Sequence, residues 1–370
     1  MTRYIKFCLV FLMFAVPAIG FIITDNGTVV KGENRVINQF PKEYSDNFYS
    51  QLVNWFNDRL LFKLEVNENL YADFHNYFND FNFSSSQFSV AGNSGWLFAG
   101  DSSDYVYSQH TKDLKFHQNQ IQKKIFTLQA IRDSFKGDMY FVVGPDKHGI
   151  YPEYMDQNIL QPGKYRFFDK VKTELKINGV TVIDNHDPLI ASKDPSRRVS
   201  LYYGDDTHWN KYGAYVAFEN VMRLIDPTYI SQHYKFIFSH HENGDLVHNI
   251  KNPRREILDS ALVDNVRKST VKAKDLFSDI SKEISFDVNS SLELNCKYVN
   301  NTPISDKKVF LITDSYGVLF MPYTVDYFKT VIHMNRRLND LGLIINEIRK
   351  EQPDIVIYLN VEREVADRVF

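Results

Sequence analysis

The stretch Lys307-Lys308-Val309-Phe310-Leu311-Ile312-Thr313-Asp314-Ser315-Tyr316-Gly317-Val318 decides how this chain is read. The apolar run Val309–Ile312, with lysines before it and Asp314-Ser315 after it, is a short buried strand that turns at once into a helix. That helix is not expected to extend far past Pro322, whose missing N–H and bulky ring interrupt the hydrogen-bond ladder. A serine at such a turn sits at a helix N-terminus, where unpaired N–H groups and the dipole can stabilise a developing oxyanion. The same position also suits a plain helix cap.

Outward from this stretch, further apolar runs follow at Met139–Val143, Val180–Ile183, Val331–Met334 and Ile355–Leu359. Helical periods lie between them at Tyr165–Leu175, Tyr212–Leu224 and Leu338–Ile348, and a long polar helix is expected over Asp113–Phe135. This alternation predicts an α/β fold with a mostly parallel sheet between helices. Ligands of such sheets bind beyond the carboxyl ends of the strands. Each run here is followed there by polar residues: Asp146-Lys147-His148, Asp184-Asn185-His186, Asn335-Arg336-Arg337, and Asn360 with Glu362-Arg363. Loops are polar in any case, so no single one of these decides function. Residues 231–305 break the rhythm with charged, Asn- and Ser-rich sequence and read as an insertion.

A second segment bears on Ser315. In Tyr203-Gly204-Asp205-Asp206-Thr207-His208-Trp209-Asn210, Asp206 and His208 stand two apart before a helix that Asn210 can cap. Alternate side chains of an extended loop share a side, so carboxylate and imidazole can meet. The carboxylate then fixes the imidazole tautomer, and the imidazole activates a hydroxyl nucleophile. By the same alternation Asp205 faces outward. A metal pair is the competing reading, but no third ligand follows locally, and only the distant His186 or His333 offers one. His148 and His333 taken alone read as structural or solvated.

Composition bounds the remaining choices. Apolar residues make up 44% and charged residues 24%, ordinary values for a globular chain. Lys plus Arg number 43 against 46 Asp plus Glu, with no basic block, which argues against a nucleic-acid partner. The 2 Cys exclude a disulfide framework and a thiolate metal cluster. The 29 Phe and 22 Tyr suit a carbohydrate-handling surface and equally an aromatic core.

The N-terminus addresses the chain. Arg3 and Lys6 precede an uncharged run, Phe7–Ile23, that spans about 25 Å at helical rise, close to a bilayer's hydrocarbon core. Residues 1–30 are therefore expected to be a signal-anchor, or a signal peptide cleaved after Gly20. Basic flanks stay inside, so residues 31–370 form an exported body.

Asp206-Thr207-His208-Trp209 followed by Asp314-Ser315-Tyr316 resembles the alginate O-acetyltransferase family of AlgJ and AlgX type. Supporting matches are Glu33-Asn34-Arg35 with Phe40-Pro41, Asp58-Arg59 with Phe62, Gly95-Trp96-Leu97-Phe98, Pro145-Asp146-Lys147 with Tyr151-Pro152, and Glu362-Arg363. The resemblance implies a permuted SGNH-hydrolase-like three-layer α/β/α domain over 31–370. It implies Ser315 as nucleophile, His208 as general base and Asp206 as its orienter, with no metal or organic cofactor. Unpermuted SGNH hydrolases use a three-residue spacing, which gives Asp205 a claim that the family's shorter spacing denies. The implied activity is transfer of acetyl groups to an exopolysaccharide, in the periplasm at the inner membrane. A multi-span membrane acyltransferase would be the donor partner. Only seven residues follow Arg363, so the anchored AlgJ-like form without a C-terminal carbohydrate-binding module is favoured. The second oxyanion donor is open, with Asn360 and Arg336 as candidates. Two alternatives stand beside transfer: an acetyl esterase, or a non-catalytic glycan-binding factor of an export complex. Replacing residues 1–30 by a cleavable export signal is expected to release a soluble, active protein in fractionation. Recovery of the full-length chain processed after Gly20 would show a secreted form instead.

Overall fold

The elements follow one another along the chain as the sequence pattern dictates. A hairpin of β1 (Ser89–Ala91) and β2 (Leu97–Ala99) precedes α1 (Leu114–Arg132), β3 (Asp138–Gly144), α2 (Phe167–Ile177) and β4 (Val182–Asp184). Next come α3 (Lys211–Ile225) and five strands: β5 (Phe236–Ser239), β6 (Ser260–Val263), β7 (Ser269–Asp275), β8 (Ser281–Phe286) and β9 (Cys296–Asn300). The chain then runs through β10 (Ser305–Thr313), α4 (Gly317–Tyr327), β11 (Phe328–Asn335), α5 (Leu341–Glu351) and β12 (Ile355–Val361). This computed structural model describes residues 89–100, 114–155, 166–247, 257–278 and 280–366, and before them 29–30, 35–36, 40, 51–52 and 55. The run 7–23 and the motif residues Glu33, Asn34, Pro41, Asp58, Arg59 and Phe62 lie outside the described residues. Among the described residues no helix is long and apolar enough to cross a membrane. The chain divides into two units, residues 1–84 with 247–252, and residues 85–246 with 253–370. The second unit contains every element from β1 to β12.

One 8-stranded sheet, in the order β8-β7-β9-β11-β10-β12-β3-β4, organises this unit. β11, β10, β12, β3 and β4 pair in parallel, while β9, β7 and β8 continue the sheet antiparallel. Alternate residues of β10 serve opposite faces, as strand geometry requires. Val309 and Leu311 pack with Phe218 and Val221 of α3 and with Phe320 and Met321 of α4. Phe310 and Ile312 pack with Ile125 and Leu128 of α1, Val171 of α2 and Ile344 of α5. Both faces are covered, which is why the parallel strands read as continuous apolar runs. The result is the three-layer α/β/α arrangement, and its strands bring Gly144, Asp184, Thr313, Asn335 and Val361 to one edge.

One expectation is corrected. α4 runs five residues beyond Pro322, to Tyr327. Phe320, Met321, Tyr323, Val325 and Tyr327 are all at most 3% exposed, and burying them outweighs the one backbone bond that proline removes. Residues 231–305, set apart in the sequence, supply β5 to β9, three of which widen the sheet itself. Their polar outer positions, such as Lys272, Lys274 and Lys282, mark strands that face solvent on one side.

The capping role of Asn210 is realised and enlarged. Its Oδ1 accepts from the Tyr212 and Gly213 N–H groups at 2.9 and 3.0 Å, while its Nδ2 donates to the Ser200 and Asp259 carbonyls at 2.7 and 3.0 Å. Asn210→Ala is expected to lower unfolding free energy by about 2–4 kcal/mol in a denaturant titration, through loss of the cap and two stranded buried carbonyls.

Candidate active site

Ser315, His208 and Asp206 meet at the carboxyl edge of the sheet. His208 Nε2 lies 2.8 Å from Ser315 Oγ, and His208 Nδ1 lies 2.6 Å from Asp206 Oδ1. Ser315 leaves β10 ahead of α4, but its side chain is not the helix cap. The position next to the helix is Tyr316, and the Asp314 carboxylate accepts the Tyr316 N–H at 2.9 Å. Asp314 is fully buried, its other oxygen accepting the Val361 N–H at 2.7 Å, so β12 and the turn hold each other. This leaves the Ser315 hydroxyl free to face the imidazole, and no acceptor takes the Ser315 backbone N–H among the described residues.

The histidine loop is a narrow antiparallel turn, closed by the Tyr202–Trp209 bridge and the bond from Tyr203 N–H to the His208 carbonyl at 3.2 Å. Asp206 folds back within it to accept the His208 N–H at 2.9 Å and the Asp245 N–H at 3.0 Å. Burial alone would raise the Asp206 pKa, but the bond and charge of His208, with these two N–H groups, hold it well below the usual carboxylate range. The Asp206 carboxylate is therefore ionised throughout the neutral range. Trp209 Nε1 donates to the Tyr316 carbonyl at 3.0 Å and the Tyr316 hydroxyl to the Thr207 carbonyl at 2.7 Å, tying loop to turn from both sides. Both rings pack over the end of β3, where Gly144 admits them: a Cβ there would lie 2.7 Å from Tyr316 Cδ1.

Asp205 does not face outward. It is fully buried, with Oδ1 2.6 Å from His241 Nδ1 and Oδ2 accepting the Gly244 N–H at 3.3 Å. The loop bends over residues 204–208 instead of running extended, and His241, Gly244 and Leu246 pack on Asp205. Burial would lower the His241 pKa, and the bond and charge of Asp205 outweigh this and raise it.

Asp245 is a site residue that the sequence does not single out. Its carboxylate accepts the Thr207 N–H at 2.7 Å and the Thr207 hydroxyl at 2.6 Å, and its Oδ2 lies 3.5 Å from His208 Nδ1. The Thr207 contact spans 38 residues and comes from the segment that reads as an insertion, so no local pattern announces it. Asp206, His208 and Asp245 could together hold a cation, each offering an atom within 4.8 Å of the others. Such an ion would take the Nδ1 atom that Asp206 now engages, so the same atoms serve a metal or a relay, not both. The two distant histidines, candidates for a third ligand, lie elsewhere. His333 is buried at 2.9 Å from Thr313 Oγ1, its pKa pushed down to about 3 by burial, and His186 pairs with Asp187.

The two suggested oxyanion donors are also placed otherwise. Arg336 is paired with Glu364 and lies 3.5 Å from Asp314 Oδ2, while Asn360 donates to the Val361 carbonyl at 2.9 Å and lies 3.5 Å from the same Asp314 oxygen. Both side chains are buried against Asp314.

The family model of the SGNH hydrolase-like domain of acetyltransferase AlgX matches residues 90–287. Among curated proteins nothing matches the chain. Bacillus cereus PatB1 is similar over 76% of this chain and 98% of its own, at 12% identity and a TM-score of 0.52. A DHHW family protein from Eubacterium siraeum is similar over 76% and 95%, at 14% identity and a TM-score of 0.50. The O-acetyltransferase domain of Pseudomonas putida AlgJ is similar over 76% and 92%, at 14% identity and a TM-score of 0.46. The first two likenesses are of fold.

The two neighbouring aspartates can be separated. Asp206→Asn keeps shape but loses the charge and favours the wrong tautomer, so acetyl-ester turnover is expected to fall by up to ~10⁴. Asp205→Asn leaves the His208 contacts in place and is expected to keep most activity while losing thermal stability. A raised histidine pKa gives stability that is full below about 6.5 and is lost as pH rises through the raised value. The Asp205→Asn deficit should therefore be larger at about pH 6 than at about pH 9. The reverse ranking in turnover would move the orienting role by one residue.

Proposed function

Since the chain belongs to the SGNH hydrolase-like acetyltransferase family of AlgX type, we propose that it moves acetyl groups onto the hydroxyls of an exported polysaccharide through an acyl-enzyme on Ser315. The observation that carries this is the continuous contact from Ser315 Oγ to His208 Nε2 and from His208 Nδ1 to Asp206. His208 takes the Ser315 proton as Oγ attacks the acetyl carbonyl, and returns it to the departing donor oxygen as the tetrahedral adduct collapses. An acceptor hydroxyl then gives its proton to His208 and attacks the acetyl-serine, which leaves the acetyl ester on the acceptor and restores Ser315. The Ser315 N–H and the start of α4 are suited to the transient oxyanion.

Acetyl-CoA is cytosolic, so an exported transferase needs a membrane partner that passes acetyl groups outward. We assign that role to a multi-span acyltransferase, with residues 1–30 keeping the catalytic body at the periplasmic face of the inner membrane. Hydrolysis shares the acyl-serine and differs only in water taking the acceptor's place. The partition between free acetate and acetylated glycan, followed by mass analysis, separates the two.

Ser315→Ala is expected to abolish turnover of a chromogenic acetyl ester, by on the order of 10³–10⁶, with the circular dichroism spectrum unchanged. Retained turnover in the folded variant would end the serine mechanism.

A further inference from the structure

Lys147 opens a single helical turn, Lys147–Ile150, just past the end of β3, and it is 4% exposed. Its Nζ donates to three carbonyl oxygens of one loop: Tyr203 at 3.0 Å, Gly204 at 3.2 Å and Asp206 at 2.6 Å. An ammonium has three protons, so these contacts use its whole capacity. The carbonyl skipped in that run, of Asp205, instead accepts the Leu246 N–H at 3.1 Å. The rings of Trp96 and Phe98 wall the cation, at 5.6 and 5.3 Å from their centroids. No carboxylate forms an ion pair with it among the described residues, although burial pushes its pKa down to about 8 against the charges of Asp206, Asp245, Asp205 and Asp259.

Three carbonyls converging on one point is not a shape that a free loop adopts, because their dipoles repel at close range. The cation reverses that repulsion. It pulls the backbone on both sides of Asp205 inward, and this is what makes the loop tight enough for the Asp206 carboxylate to reach both the N–H and the Nδ1 of His208. An ammonium placed only for stability would be an expensive choice, since a buried charge is commonly replaced by an apolar side chain with little loss. Here its geometry serves a particular backbone conformation.

We propose that Lys147 is a positioning residue of the acyl-transfer site, its ammonium gathering the carbonyls of Tyr203, Gly204 and Asp206 into the turn that presents Asp206 to His208. The inference rests on the proposed acyl-serine mechanism. Without the ammonium the loop relaxes, and the imidazole loses alignment with Ser315 although Ser315, His208 and Asp206 are all still present.

The test compares full-length wild type with Lys147→Met, which keeps length and bulk without donors, and Lys147→Gln, which keeps a neutral donor. Two rates are read: acetyl-ester turnover, and covalent labelling of Ser315 by phenylmethylsulfonyl fluoride. Both variants are expected to fold, by circular dichroism. Lys147→Met should lose about 10²-fold in kcat, the usual cost of a misplacement near 1 Å, with KM little changed. Labelling should slow in proportion, and Lys147→Gln should fall between Lys147→Met and wild type. Unchanged kcat and labelling, or a rise in KM alone, would overturn the assignment. Failure of both variants to fold would overturn it too, because the lysine would then serve the fold and not the loop. Wild type that neither turns over ester nor is labelled at Ser315 would remove the acyl-serine reading and this inference with it. An active wild type with equally active variants removes the inference alone.

Discussion

The reciprocal bonds between Trp209 and Tyr316 hold the candidate site together. Ser315 and His208 are 107 residues apart in sequence and belong to separate connections, one before α3 and one before α4. The indole N–H crosses from loop to turn and the phenol O–H crosses back, and both residues have no exposed surface. Such bonds are costly to break, since each would leave a buried donor and a buried carbonyl unpaired. Two bonds in opposite directions fix distance and rotation together, which a single one would not do. The His208–Ser315 contact, partly open to solvent, could not supply that constraint itself.

The electrostatics around the loop follow from crowding. Asp205, Asp206, Asp245 and Asp259 gather around a loop of a few residues, and four carboxylates so close would repel strongly in a poorly solvated site. Each is given its own donors. Asp259 accepts the Gly204 and His241 N–H groups at 2.7 and 2.8 Å, Asp205 takes the His241 imidazole, Asp245 takes Thr207, and Asp206 takes His208. Most of these donors are backbone N–H groups of the same loop and of residues 241–245. The acidic cluster therefore works as a set of turn-forming acceptors, and the Lys147 ammonium offsets part of its charge.

Those residues also mark the limit of what local sequence conveys. The five parallel strands were legible because burial on both faces makes them mostly apolar, and the Asp206–His208 pair from its two-residue spacing, although the loop that joins them is a turn. Asp205 was misplaced because alternation presumes an extended loop with an open outer side, whereas the loop bends and residues 241–246 cover Asp205. The extent of α4 was missed because the packing of Phe320, Tyr323 and Tyr327 is tertiary, while the proline rule is local. Lys147 stood in plain view after β3, but its partners are backbone carbonyls, which no side-chain motif reveals.

Beneath the turn lies a second arrangement of charges whose energetics run against stability. Asp314 and Arg336 are 0% and 2% exposed, Glu364 is 1% exposed, and Lys124 donates to Asn360 Oδ1 at 3.1 Å with its pKa held well below the usual lysine range by burial. Taking such groups out of water costs several kcal/mol each before any pairing is counted, and apolar residues of similar size would fill the space at lower cost. Apolar packing, however, would leave the Tyr316 and Val361 N–H groups without the carboxylate that now bridges them. Arg336 and Asn360 hold that carboxylate, and Lys124 holds Asn360, so the chain of contacts ends one residue before Ser315. The turn that carries Ser315 is thus held by a buried network and the imidazole by the tethered loop. The two supports share no residue except through Tyr316.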